Sequence, residues 1–190
     1  MIESSWNWVE KIDKHYIDKL ILDIESKYPV ETAVMGQTSA IVDEAYRSSK
    51  VAFVKEKDFP EIWGIANSII NNANKYAYNF DINSIADCQY TVYDSDKKGK
   101  YDWHMDTFIP GNTTFDRKIT LIIQLSDPEE YEGGLLEFQD CNYFDRGYVQ
   151  KLRLKGTAIT FPSFIRHKVG TVTKGVRRSL IFWMEGPAFR

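Results

Sequence analysis

Apolar residues in the first stretch of the chain fall at Trp8, Val9, Ile12, Tyr16, Ile17, Leu20, Ile21 and Ile24. Steps of three, four and one place them on a single stripe, which predicts a helix over 6–28. Ser4 or Ser5 is the expected N-cap, and Pro29 ends the segment. The apolar run 51–54 is too short for anything but a strand or a loop anchor. Asp58-Phe59-Pro60 opens a second helical pattern with Pro60 near its first turn and Ile62, Trp63, Ile65, Ala66, Ile69 and Ile70 along it. That pattern decays between Tyr76 and Phe80. After Asp81 the period shortens, and strands are predicted near 88–93, 103–108, 119–125, 135–138, 149–154, 157–161, 167–172 and 178–183. Turn clusters separate them, among them Asp127-Pro128, Gly133-Gly134 and Lys174-Gly175. Helices first and closely spaced strands afterwards indicate an α+β fold, with a sandwich, barrel or jelly roll as the β part.

Composition narrows the classes. At 190 residues with 43% hydrophobic and 14% aromatic positions, the chain can bury a core of its own. One domain over 1–190 is the expectation, with a helical front part at about 1–80 and a β core at about 81–190. A formal charge of -3 supplies no footprint for nucleic acid. The two cysteines, Cys88 and Cys141, form no CxxC pair and read as reduced thiols. No long apolar run or leader-like start is present, so the expectation is a soluble cytoplasmic protein with no membrane partner.

Three histidines occur. His15 sits in the first helical pattern without other ligand types nearby. His104 stands two residues before Asp106, and on a strand such a pair points to one face. His-x-Asp alone is a weak signal, since a histidine hydrogen-bonded to a nearby acid gives the same triplet. His167 is left as a third ligand. Two imidazoles and one carboxylate leave half of a metal's coordination sphere open, the arrangement of non-heme ferrous oxygenases. Ten residues after His167 comes Arg177, and strand alternation puts Arg177, Ser179, Ile181 and Trp183 on one face, with Arg178, Leu180 and Phe182 on the other. An arginine and a hydroxyl facing inward would grip a carboxylate, whereas on an edge strand both arginines would simply be solvated.

Taken together, His104-x-Asp106, His167, Arg177, Ser179 and Trp183 resemble the Fe(II)/2-oxoglutarate-dependent dioxygenases, prolyl 4-hydroxylase-like (PKHD-type) group. Gln89-Tyr90-Thr91-Val92-Tyr93, the strand from Arg117 to Ser126, Gly133-Gly134-Leu135-Leu136-Glu137-Phe138 and Gly156-x-Ala158-x-x-Phe161-Pro162 extend the likeness over about 86–187. The resemblance implies a double-stranded β-helix (jelly roll) core supported by N-terminal helices. It further implies that His104, Asp106 and His167 bind Fe(II), and that Arg177 holds the distal carboxylate of 2-oxoglutarate, helped by Ser179 and Tyr93. Gln124 stands where some relatives present a tyrosine to that carboxylate, and Gly170 replaces a frequent proline. Asp106 itself argues for hydroxylation, because halogenating relatives carry a small residue there. O2 is the cosubstrate and ascorbate a candidate accessory reductant. Ile122, Val169 and Trp183 are expected to wall the pocket, and segments 94–103, 107–115 and 140–146 to form its mouth. The implied reaction is hydroxylation of a prolyl residue in a protein or peptide, with release of succinate and CO2. A free amino acid or small-molecule substrate is the alternative, and a catalytically silent jelly-roll binding module is a further one.

Overall fold

A computed structural model of the chain describes residues 6–8, 11–34, 43–107, 114–139 and 150–189. In chain order it contains β1 (Trp6–Trp8), α1 (Lys14–Lys27), β2 (Glu31–Thr32), β3 (Arg47–Ser48), β4 (Lys50–Phe53) and α2 (Pro60–Ala73). Then follow β5 (Ile85–Asp94), β6 (Lys100–His104), β7 (Phe115–Gln124), β8 (Tyr131–Gly133), β9 (Leu136–Phe138), β10 (Ala158–Pro162), β11 (His167–Val169) and β12 (Val172–Pro187). Among the described residues these strands form two antiparallel sheets. The larger runs β1-β10-β7-β12-β5-β4-β2, with β8 paired to β12, and the smaller runs β3-β6-β11-β9. The jelly-roll core expected from the sequence is present, with α1 and α2 packed behind the larger sheet.

The β12 strand shows how the layers divide. Leu180, Phe182 and Met184 point into a core shared with Ile17, Leu20 and Ile24 of α1 and Ile62, Ala66 and Ile70 of α2. Ile181 and Trp183, one residue out of phase, join Tyr93, Ile122, Phe161 and Val169 on the face that looks toward the smaller sheet. The alternation read from the sequence is therefore the alternation between helix-backed core and cleft. Burial of the first cluster is what fixes α1 and α2, since short helices gain most of their stability from a packed apolar stripe.

Four expectations need correction. The first helix does not start at Trp6: it begins at Lys14, where the Asp13 side chain accepts the Tyr16 N–H at 2.9 Å and caps it. Trp6–Trp8 instead pairs with β10 as an edge strand, while Ser4 and Ser5 lie outside the described residues. The front part is thus not purely helical, because β1, β2 and β4 extend the large sheet. The run predicted at 149–154 is no strand over its described part. Arg153 and Leu154 donate to Gln150 and Lys151 carbonyls at 3.1 and 3.2 Å, closing turns, and the Arg153 guanidinium is held by Pro128 and Tyr131 carbonyls. Finally, the strand predicted over 103–108 ends at His104, because the next N–H groups leave the ladder for another partner. No helix among the described residues is long and apolar enough to cross a membrane.

Candidate active site

Between the sheets lies a cavity of about 880 Å³ whose wall includes His104, Asp106, His167, Arg177, Ser179 and Tyr93. His104 closes β6 and His167 opens β11, and the two are register partners in an antiparallel pair. Their ring centroids are 4.2 Å apart. Asp106 reaches the same point from beyond the strand. Its N–H and that of Thr107 both donate to the Ser163 carbonyl, at 2.9 and 3.3 Å. That shared acceptor bends the chain after His104 toward the turn preceding His167, so the His-x-Asp pair converges through a tight bend and not through strand periodicity.

The result is a compact ligand set. Asp106 Oδ1 is 3.8 Å from His104 Nε2, and Asp106 Oδ2 is 3.6 Å from His167 Nε2. One ligand atom from each of the three residues lies within 4.8 Å of the others. The remaining ring nitrogens are anchored outward, His104 Nδ1 to the Asp102 carbonyl at 2.7 Å and His167 Nδ1 to the Ile165 carbonyl at 3.0 Å. A carbonyl can only accept, so each Nδ1 carries the proton and each Nε2 presents a lone pair to the centre. The Thr120 hydroxyl donates to Asp106 Oδ2 at 2.7 Å and is itself linked to Ser163 Oγ at 2.9 Å. Oriented imidazoles and a hydrogen-bonded carboxylate are the surroundings a bound metal ion requires. The donor set therefore fits a divalent ion such as iron.

Electrostatics agree with that geometry. Burial, followed by the neighbouring His167, pushes the His104 pKa down to about 4 and keeps the ring neutral as a ligand must be. Burial alone would raise Asp106, yet His167, His104 and the Thr120 hydroxyl hold its carboxyl below the usual range. Tyr101 stacks flat on His104 at 3.5 Å between centroids, and burial raises its phenol to about 12.

Arg177 lies on the far wall, 3% exposed, on the cleft side of β12 beside Ser179. Its guanidinium carbon sits 5.4 Å from the Tyr93 ring. Arg178 points the other way and bonds Glu25 at 3.1 Å. Gln124, register partner of Ser179, is buried next to it, with Nε2 donating to the Ser126 carbonyl and Tyr131 Oη, each at 3.2 Å. Ile122, Val169 and Trp183 line the cavity as expected. Of the expected mouth segments, 108–113 and 140–146 fall outside the described residues.

Two residues escaped the sequence reading. Tyr131 packs beside the Arg177 stem. A Cβ on Gly134 would come within 3.1 Å of Arg177 Cδ and 3.4 Å of Tyr131 Cε2, so the glycine keeps room for both. The tyrosine two residues before the glycine pair was the available signal. Arg47 lines the near wall, and nothing in its local sequence marks it.

The family model of the 2OG-Fe(II) oxygenase superfamily matches residues 88–185. A PKHD-type hydroxylase of Pseudomonas fluorescens is 36% identical over 94 residues, covering 46% of this chain and 38% of that protein. Another, from Synechococcus, is 32% identical over 97 residues, 51% of this chain and 41% of that protein. The matches thus span less than half the length of these curated relatives. Among solved structures, a Pseudomonas putida prolyl-4-hydroxylase aligns with TM-score 0.71 at 12% identity, covering 97% of this chain and 94% of that one. A Trichoplax adhaerens prolyl hydroxylase, solved with a hypoxia inducible factor peptide fragment, aligns with TM-score 0.74 at 14% identity, covering 95% and 83%. At those identities the likeness speaks for the fold alone.

Proposed function

The chain belongs to the 2OG-Fe(II) oxygenase superfamily, and we propose that it is an iron- and 2-oxoglutarate-dependent dioxygenase that hydroxylates a C–H bond. In this reading His104, Asp106 and His167 hold Fe(II), and Arg177 takes the distal carboxylate of 2-oxoglutarate. The observation that carries it is the facing of two outward-anchored imidazoles and one carboxylate across a buried centre, on the same cavity as an enclosed guanidinium. When bound, iron with 2-oxoglutarate and O2 supplies the oxidising power, and succinate and CO2 leave as coproducts.

The protein's own residues do the rest. Arg177 and Ser179 fix one end of the dicarboxylate by charge-assisted hydrogen bonds, with the Tyr93 hydroxyl as a further donor. Gln124 serves that end indirectly, holding Tyr131 beside the Arg177 stem. Ile122, Ile181, Val169 and Trp183 keep water from the reacting centre, where an unprotected oxidant would otherwise be wasted. Thr120 and Ser163 hold the carboxylate of Asp106 in one rotamer.

A prolyl residue in a protein or peptide is the leading substrate, supported by the likeness in fold to prolyl hydroxylases of Pseudomonas putida and Trichoplax adhaerens. A free amino acid or other small molecule is the second reading, favoured by the charge of the near wall. The test is direct. Purified protein is supplied with Fe(II), 2-oxoglutarate and ascorbate, succinate is measured, and peptide and amino-acid pools are searched by mass spectrometry for a gain of one oxygen atom. Succinate formation that requires both iron and a substrate is the expected result. Its complete absence would leave a silent binding module.

A further inference from the structure

Among the described residues, Asp106 is the one acid lining the cavity, while four arginines line it: Arg47, Arg117, Arg166 and Arg177. Arg117 is paired with Asp87 at 3.1 Å, and Arg166 is exposed to water. Arg47 and Arg177 remain as enclosed cations, 9% and 3% exposed. Burying a guanidinium without an anion is costly, so a fold that keeps two of them in one cavity is built to receive negative charge.

We infer that Arg47 is a second carboxylate-binding residue, one that recognises the substrate, and that the substrate presents a free carboxylate beside an apolar body. A free amino acid and the C-terminal residue of a peptide both meet that description. The inference rests on the function proposed above and deepens it. A ferrous dication, the Asp106 carboxylate, the Arg177 guanidinium and the dianion of 2-oxoglutarate together sum to zero. Arg47 is then a surplus single positive charge, which a substrate monocarboxylate neutralises.

Its placement suits that task. Arg47 stands on β3, in the smaller sheet, as register partner of Tyr101, whereas Arg177 belongs to the larger sheet. The guanidinium carbon lies 4.4 Å from the Tyr101 ring centroid, and His104 stacks on the same ring at 3.5 Å between centroids. The cation and a proposed iron ligand thus share one aromatic neighbour, which brings the carbons next to a bound carboxylate toward the reacting centre. Nε donates to Ser49 Oγ at 2.9 Å, fixing the plane of the group, while Nη2 is buried without a partner among the described residues. The unspent donors form the fork that a carboxylate fits. Val34 and Phe53, half exposed on the same cavity, offer apolar surface for the body of the acid.

The experiment compares acids with their amides. Zinc-substituted protein saturated with 2-oxoglutarate is titrated calorimetrically with free L-amino acids, their primary amides, and peptides ending in a free or an amidated proline. The iron-loaded protein is assayed for succinate with the same panel. At least one acid should bind about tenfold more tightly than its own amide. Arg47→Gln should remove that difference while leaving 2-oxoglutarate affinity unchanged, and Arg47→Lys should restore part of it. Preference for free amino acids over the peptides identifies the first source, and the reverse order the second. Equal binding of acids and amides overturns the inference, as does a loss of 2-oxoglutarate affinity in Arg47→Gln, which would assign Arg47 to the cosubstrate. If Arg47→Gln does not fold, a fully unchanged acid preference in a folded Arg47→Lys overturns it too. Succinate formed without acid preference defeats only this inference, whereas no succinate on any substrate defeats the proposed function.

Discussion

His104 and His167 are directly opposite one another in the β6–β11 pair, with ring centroids 4.2 Å apart. Cross-strand register thus brings together two proposed ligands that are far apart in the chain. Each ring is aimed by a backbone carbonyl, which sets its tautomer before any ion arrives.

Loss of one ligand should be decisive. His104→Ala, or Asp106→Ala, is expected to abolish succinate formation and to lower Fe(II) affinity by at least about 100-fold, since two ligands remain where three converged. Metal titration monitored by calorimetry checks this, and substantial turnover in either variant would remove both residues from the site.

Thr120→Val gives a finer probe. The substitution keeps the shape and removes the hydroxyl that bonds Asp106 Oδ2 at 2.7 Å. Iron affinity should fall by about 10-fold to 100-fold while the fold is retained. Circular dichroism and metal titration on the same sample separate the two effects.

Arg177 and Arg178 are neighbours that face opposite sides of β12. Arg177→Ala should raise the 2-oxoglutarate concentration needed for half-maximal turnover by about 10-fold or more, the loss of a buried carboxylate pair. Arg178→Ala removes a partly exposed bond to Glu25 and should cost about 1 kcal/mol of stability or less, with the cosubstrate requirement unchanged. Steady-state titration of 2-oxoglutarate distinguishes them, and the opposite pattern would reverse the assignment.

Metal-free protein should lose stability in mild acid. The His104 ring titrates near its ordinary value of 6.5 when unfolded but at about 4 when folded. Between those values the unfolded chain holds the proton and the folded chain does not, so stability declines as pH falls from about 6.5 toward 4, by up to about 1.4 kcal/mol per unit. Asp106, held below its ordinary value, extends the decline below pH 3.8. Urea unfolding at a series of pH values measures the slope, which should vanish in His104→Gln over the upper part of that range.

Gly175→Ala tests the turn behind the Arg177 wall of the cavity. Gly175 has φ of +70°, and an added Cβ would stand 2.0 Å from the Glu130 carbonyl oxygen. We expect a loss of about 2 kcal/mol or more in denaturant unfolding. Because Gly175 is paired with Tyr131, a weaker grip on 2-oxoglutarate should accompany it.

The sequence made the chemistry more legible than the boundaries. Pro60 marked the start of α2 correctly, and alternation along β12 put Arg177 in the cleft and Arg178 outside it. The start of α1 was missed because the apolar stripe ran on past its true cap, Asp13, into residues that the sheet edge recruited. Asp106 was read as a strand residue, although its position depends on the Ser163 carbonyl, an acceptor far along the chain. Arg47 was invisible for the same reason. It lies in a short polar stretch with no period, and becomes part of the site only when β3 pairs with β6.

Since β12 gives alternate side chains to the helix-backed core and to the cleft, it acts as a party wall between stability and selectivity. A change at Phe182 or Leu180 that repacks the helices tilts the same backbone from which Arg177 and Ser179 hang. With Arg177 in its proposed role, thermal hardening of this protein by core substitution should register as altered cosubstrate affinity, and laboratory evolution of either property should drag the other along.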